Sequence, residues 1–249
     1  MLRIIDARTG EPVPVPPARR GLTRVEAHVS GPDTSSLRVL LVADLLVRAL
    51  ELGGTPVWST LTGDREPAEL RAAALALGIR PFEDARDLAG GPGEAQTVRV
   101  MGEGDDSVPP GTVMRVAPVA GEAGAGVSPA SVGGSLPDPA ALRLALLSAP
   151  RTSPVRIDAA ALDDAASTLA QWRRAVAAWA RQPSRPVPDD VRRRLHGAWE
   201  DDLDVPAVLG VLRWVENSAD LPDGARFETY AYADRLLGLE LTRDLGSPA

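Results

Sequence analysis

The 249-residue chain contains no cysteine, so disulfides and thiolate metal sites are both excluded. It also contains no lysine: all 27 basic residues are arginine, and Asn217 is the single asparagine. A coding bias toward high GC content accounts for that skew, but its chemical consequence stands whatever the cause. No step here can use an amine side chain. Histidine is limited to His28 and His196, too few and too far apart in sequence to frame a metal centre. No apolar run reaches the 18 or more residues of a membrane span, and Met1 to Asp6 is followed by no signal-peptide pattern. The expectation is a soluble cytoplasmic protein. Its net charge of −7 argues against a dedicated nucleic-acid binder, whose affinity rests on neutralising phosphates.

What is present reads as an α/β half followed by an α-helical half. Leu2 to Asp6 alternates as a short strand, Arg8 to Glu11 is a turn, and Pro12 to Pro17 should be extended and exposed. Thr23 to Val29 is a strand with Val25, Ala27 and Val29 on one face, which leaves His28 on the outward, surface phase. After Ser30-Gly31-Pro32-Asp33, Leu37 to Leu52 has helical spacing and stops at Gly53-Gly54, and Thr55 to Thr62 is the next strand. A strand, a glycine-bearing loop, a helix and a strand open a Rossmann-type unit. In such sheets ligands sit at the carboxyl ends of the strands, here Ser30 to Asp33 and Thr60 to Asp64. Pro67 to Leu77 forms a helix closed by Gly78. Thr97 to Met101 and Thr112 to Val119 supply two further parallel strands around an acidic loop at Glu103 to Asp106, and Gly121 to Gly126 is a flexible loop.

In the second half Asp138 caps a buried helix with Pro139 in its first turn; Leu142, Ala145 and Leu146 line one face, Leu144 and Leu147 extend it, and Pro150 ends it. Asp158 begins a helix to about Arg181 in which Leu162, Leu169, Trp172, Val176 and Trp179 form a bundle seam. After the Pro-rich linker Gln182 to Pro188, Asp189 caps a helix through Trp199, Pro206 opens another to about Ser218, and Gly224 to Leu237 is the last. Trp172, Trp179, Trp199 and Trp214 are spaced as bundle core. The arginines at 151, 173, 174 and 192–194 read as a solvated face rather than an RNA-binding stripe, and Asp201, Asp202 and Asp204 as a cap and turn rather than a cation site.

Several strings occur in an order that resembles the cysteinyl-tRNA synthetases, a class I synthetase family to which the cysteine ligase of actinobacterial mycothiol biosynthesis is related. D-P-A-A-L-R-L-A-L-L-S-A-P-R-T-S-P-V from Asp138 resembles the helix and R-S-P-L turn that follow the family's KMSKS loop. L-R-I-I-D-A-R-T-G-E-P-V-P-V from Leu2 resembles its N-terminal ribbon, Ala76 to Pro81 its helix-to-strand passage, and Trp199 to Leu212 and Tyr232 to Leu241 its final helices. The resemblance covers roughly residues 1–65 and 135–249 and implies a Rossmann-like (HUP-type) parallel-sheet domain over 1–136 and an α-helical bundle over 137–249.

The same alignment of motifs shows what is missing. The zinc-binding cysteine of C-G-P-T corresponds to Ser30 of Ser30-Gly31-Pro32-Asp33, the H-I-G-H histidines have no counterpart in a shorter loop, and the KMSKS position reads Ser128 to Ser135 with neither lysine. The family's lysines stabilise charge developing on the triphosphate, and no arginine replaces them there. The resemblance therefore implies a truncated, degenerate paralogue: a pseudoenzyme requiring no cofactor and holding no zinc, with ATP or an aminoacyl-adenylate as the ligand that its pocket would accept. That pocket comprises Ser30, Gly31, Asp33, Thr62, Asp64, Gly133 and Gly134, although the glycines serve equally as plain turns. Two alternatives stand beside it: a scaffold that docks a protein partner through the bundle, and an active ATP-dependent cysteine ligase with a site rebuilt around Asp33, Asp64 and Arg38. Binding of tRNA is not expected.

Overall fold

A computed structural model describes residues 1–15, 22–63, 68–84, 96–104, 111–120 and 138–246. The chain opens with an antiparallel ribbon of β1 (Arg3–Ile5) and β2 (Pro12–Pro14). There follow β3 (Thr23–Val29), α1 (Thr34–Leu52), β4 (Val57–Gly63), α2 (Ala68–Ala76), β5 (Glu83–Asp84), β6 (Thr97–Gly102) and β7 (Thr112–Val116). Five of these strands form one all-parallel sheet in the order β5-β4-β3-β6-β7. The order runs outward on one side of β3 and then restarts with β6 on the other, a Rossmann-type arrangement.

Burial of one side-chain set against α1 holds this half together. Val25, Ala27 and Val29 of β3, Leu61 of β4 and Val98 and Val100 of β6 share a face and are buried. Gly102 in β6, on the same phase, lies 4.0 Å from Val39 of α1 when a Cβ is built on it, which places α1 over that face. The opposite face carries Arg24, Glu26, His28, Thr60, Thr62 and Arg99.

The helical half contains α3 (Pro139–Leu147), α4 (Ala159–Trp179), α5 (Asp189–Trp199), α6 (Val205–Asn217) and α7 (Asp223–Leu237). Asp138 accepts from Ala140 N at 3.0 Å and Asp158 from Ala161 N at 2.9 Å, so both expected caps form. Trp172 and Trp179 of the α4 seam pack edge-on against Tyr230 of α7, with ring centroids 5.8 and 5.1 Å away. Tyr230 is buried and donates its hydroxyl to Leu212 O at 2.9 Å.

The structure changes several sequence expectations, each for a local reason. The strand expected over Thr112 to Val119 ends at Val116. Ala117 N donates instead to Arg151 O at 2.7 Å, Pro118 has no N–H to continue a ladder, and β8 (Val119–Ala120) pairs in parallel with β9 (Val155–Arg156). The Pro-rich stretch after Glu11 is extended as expected, but it is paired with β1 and ends in the core: Val15 is 2% exposed. Asp189 is the first residue of α5 rather than its cap, a place taken by Pro188 without a side-chain bond. Trp214 is 40% exposed, because the buried face of α6 is formed by Val205, Val208, Leu209, Leu212 and Val215 and the indole falls outside it. Arg151 and Arg173 leave the solvated face altogether, being buried. His28 is half-buried and hydrogen-bonded rather than free at the surface.

The aspartates at 201, 202 and 204 do form a cap and turn. Asp204 caps α6 by accepting from Ala207 N at 3.0 Å, while Asp202 and Leu203 take left-handed backbone at φ 56° and 55°. That strained turn is held by the N-terminal ribbon, since Asp202 Oδ1 accepts from Ile5 N and from Arg151. The boundary at residue 136 and the loops at 121–126 and 128–135 lie outside the described residues.

Candidate functional site at the sheet reversal

The strand order reverses between β3 and β6, and in open parallel sheets the crevice beyond the carboxyl ends of those strands is the usual ligand site. Four of the residues expected there, Ser30, Gly31, Asp33 and Thr62, lie at this edge, at the ends of β3 and β4. Ser30 is exposed, and a Cβ built on Gly31 meets nothing within 4 Å, so the loop between β3 and α1 borders open space. Asp64, Gly133 and Gly134 lie outside the described residues.

The side chains at this edge are engaged by the fold. Asp33 Oδ1 accepts from Ser36 N at 2.6 Å and so caps α1, where a carboxylate also faces the positive end of the helix dipole. Ser35 Oγ accepts from Val119 N at 3.0 Å, tying the first turn of α1 to β8. Thr62 Oγ1 donates to Ala27 O at 3.3 Å and lies 3.2 Å from His28 Nδ1. A hydroxyl has one proton, so with that proton on Ala27 O, His28 must donate from Nδ1 to Thr62. On the β6 side, Glu103 N donates to Val116 O at 3.1 Å and Arg115 Nη1 to Gly102 O at 2.8 Å.

Arg38, the cation of the rebuilt-ligase alternative, lies inside the scaffold. It is 1% exposed; Nη1 donates to Ala117 O and Ser153 O, both at 2.8 Å, and Nη2 to Ala149 O at 3.3 Å and Pro150 O at 2.9 Å. Burial lowers its pKa to about 10 against a smaller opposing pull from Glu103, so it remains a cation at neutral pH. Its charge is spent on four carbonyls, and it does not face a triphosphate at the strand ends. Of the three residues of the rebuilt-ligase alternative, Arg38 is thus part of the scaffold and Asp33 caps α1, while Asp64 lies outside the described residues.

Sequence reasoning overlooked the polar face of the sheet. Glu26 accepts from Arg99 at 2.7 Å and from Arg24 at 3.4 Å, Arg24 lies 4.8 Å over the Trp58 ring, and Trp58 Nε1 donates to Glu83 at 2.9 Å. Parallel sheets are usually apolar on both faces. The alternation T-R-V-E-A-H-V in β3 was the available signal. A separate cleft of about 280 Å³ opens at the other end of the sheet, beside the C-terminus of α1, bordered by Leu2, Val15, Leu50, Thr55, His196 and Trp199. There His196 Nε2 lies 2.8 Å from the Tyr232 hydroxyl. Among the described residues no group of three or more metal-ligating side chains converges, and no helix is long and apolar enough to cross a membrane.

Comparison with known proteins supplies the kinship. No protein-family model matches the chain. It is 38% identical over 113 residues to an L-cysteine:1D-myo-inositol 2-amino-2-deoxy-alpha-D-glucopyranoside ligase of Parafrankia sp., a match covering 42% of this chain and 24% of the relative. Ligases of the same name from Acidothermus cellulolyticus and Streptomyces griseus are 34% and 37% identical over 105 and 110 residues, again 42% of this chain and 25% of each relative. The match thus spans about a quarter of the length of these curated relatives.

Proposed function

Proceeding from this kinship with the cysteine ligase and synthetase group, we propose that the chain is a pseudoenzyme. In this reading it activates no amino acid, works in the cytoplasm, and uses the crevice between β3 and β6 to hold an adenylate-like small molecule. One observation supports the loss of activity above the others: Asp33, Ser35, Thr62 and Arg38 are each committed to capping or bridging backbone, in a chain without lysine. Adenylate formation needs donors aimed at the charge that develops in the transition state, and one such donor is worth roughly 10²–10³ in rate. Donors pointed at carbonyls of the scaffold supply none of it. Ligand retention is supported by exposed Ser30 and by the open space at Gly31, where backbone can meet a ligand directly.

The test has two arms. Pyrophosphate exchange into ATP with cysteine and with each other amino acid should stay at the buffer rate; exchange with any of them overturns the pseudoenzyme reading. Calorimetric titration with the sulfamoyl analogue of cysteinyl-adenylate should give heat, with ATP and cysteine alone as controls. No heat from the analogue removes the pocket from the proposal. A second reading, docking of a protein through the bundle, is favoured by exposed Trp214, which is stacked 4.7 Å under Arg194. Tryptophan and arginine are the residues that most often carry interface energy. Trp214→Ala abolishing a co-purifying partner would support it.

A further inference from the structure

Two buried arginines meet at one small cavity between α1, the end of α3 and the start of α6. Val42, Leu45, Leu146 and Leu203 are among its walls, and both Arg38 and Arg151 line it. The centre of a water-sized sphere has about 10 Å³ to occupy, room for one monatomic ion or one water.

The donor count is uneven in the same way for both arginines. A guanidinium carries five N–H donors. Arg38 uses its two Nη groups on four carbonyls, and Arg151 uses its own on Arg115 O, Ile5 O and Asp202. In both, the buried Nε is a nitrogen with no partner at all. The charge count is uneven between them. Arg151 is paired with Asp202, whereas Arg38 forms no ion pair among the described residues; Glu103 acts on it only through space. Among the described residues one buried positive charge therefore stands without an ion pair, where charges are ordinarily paired. A water would accept from both Nε–H groups, but it would leave that charge in place and turn its own protons toward mostly aliphatic walls. A polyatomic anion such as phosphate exceeds the space.

We propose that Arg38 and Arg151 form a buried halide site, with chloride accepting from both Nε–H groups and neutralising the charge between the α/β and helical halves. The experiment uses the whole chain. Crystals soaked in sodium bromide should show an anomalous peak among Arg38, Arg151 and Leu146. In solution, replacing sodium gluconate by sodium chloride at constant ionic strength should raise Tm by about 3 °C, with saturation, as expected of a ligand that binds only the folded state. Val42→Ile adds one methylene to the wall without touching either arginine, and it should abolish both the peak and the halide-specific shift. Bromide found only at surface arginines, or a water refined at this position in the presence of bromide, overturns the proposal, as does a Tm that follows ionic strength alone.

Discussion

Arg143→Met tests whether a single buried guanidinium holds the two halves together. Arg143 in α3 is 0% exposed; Nη2 donates to Asp44 Oδ2 in α1 at 3.1 Å, Nη1 to Leu77 O after α2 at 2.9 Å, and Nε to Leu237 O in α7 at 2.6 Å. Methionine keeps most of the aliphatic volume, so the cavity contribution is small. What is lost is one charge-assisted bond, about 1.5–3 kcal/mol, and the donors of two buried carbonyls, about 1–3 kcal/mol each when left unsatisfied. Asp44 is not orphaned, because Arg48 Nε at 2.8 Å and Arg80 Nε at 3.1 Å still reach it. That places the expected loss at about 4 kcal/mol. Asp44→Asn should cost a similar amount for the opposite reason, since it leaves Arg143 as a buried cation without a carboxylate. Urea unfolding followed by tryptophan fluorescence, with the double variant closing the cycle, should give a coupling of roughly 1.5–3 kcal/mol. The acid limb is a second check. Burial alone would raise the Asp44 pKa, but the guanidinium groups of Arg143 and Arg48 outweigh it and hold the carboxyl below its usual range. Its contribution is therefore complete above the unfolded carboxylate pKa and disappears as pH falls through the lower folded value, a dependence that Asp44→Asn should lack. An Arg143→Met protein within about 1 kcal/mol of the parent would refute the clamp.

Three other substitutions probe separate parts of the argument. Gly224→Ala places a Cβ 2.0 Å from Pro183 O, a backbone atom that cannot swing aside, so thermal unfolding should show a loss of at least 2 kcal/mol. Asp33→Ala removes the cap of α1 and should cost about 1 kcal/mol in urea unfolding; a neutral result would mean that the carboxylate is free for a ligand. Asp234 behaves oppositely to Asp44: burial raises its pKa despite the bonds it accepts from Leu241 N and Leu239 N. The folded state then binds that proton more tightly, so stability should fall as pH rises from the unfolded carboxylate pKa through the folded one, and a pH series on Asp234→Asn should lose this slope.

Elements whose boundaries are chemically marked were legible in the sequence. Asp138 with Pro139, Asp158, and Gly53 after Leu52 each carry their own start or stop signal, and each marks a helix end in the structure. The edge of the sheet was equally accessible, because Ser30, Gly31, Asp33 and Thr62 follow directly from where β3 and β4 end. Partner choice was not legible. Helical spacing places Arg38 on α1 but says nothing of Ala117, Ala149, Pro150 and Ser153, which arrive from distant parts of the chain. For the same reason β7 was read too long: the decisive partner of Ala117 N is Arg151 O, from the helical half. Trp214 shows the limit of spacing arguments in a bundle, where one residue's difference moves a side chain from core to solvent: the adjacent Val215 is buried.

The arginine-only composition then has a structural consequence that outlasts any lost chemistry. Arg38, Arg143, Arg151 and Arg173 are all buried, and each collects backbone carbonyls from segments remote in sequence; Arg173 takes Leu239 O at 2.9 Å and Glu240 O at 3.1 Å besides Asp138. A planar fork with five donors can satisfy three or four carbonyls in fixed directions, whereas a lysine offers three donors from one point. The same replacement of lysine that removes phosphate-directed charge from the strand ends is neutral or favourable in these clamps. The carbonyl contacts of all four guanidinium groups are made within the chain itself.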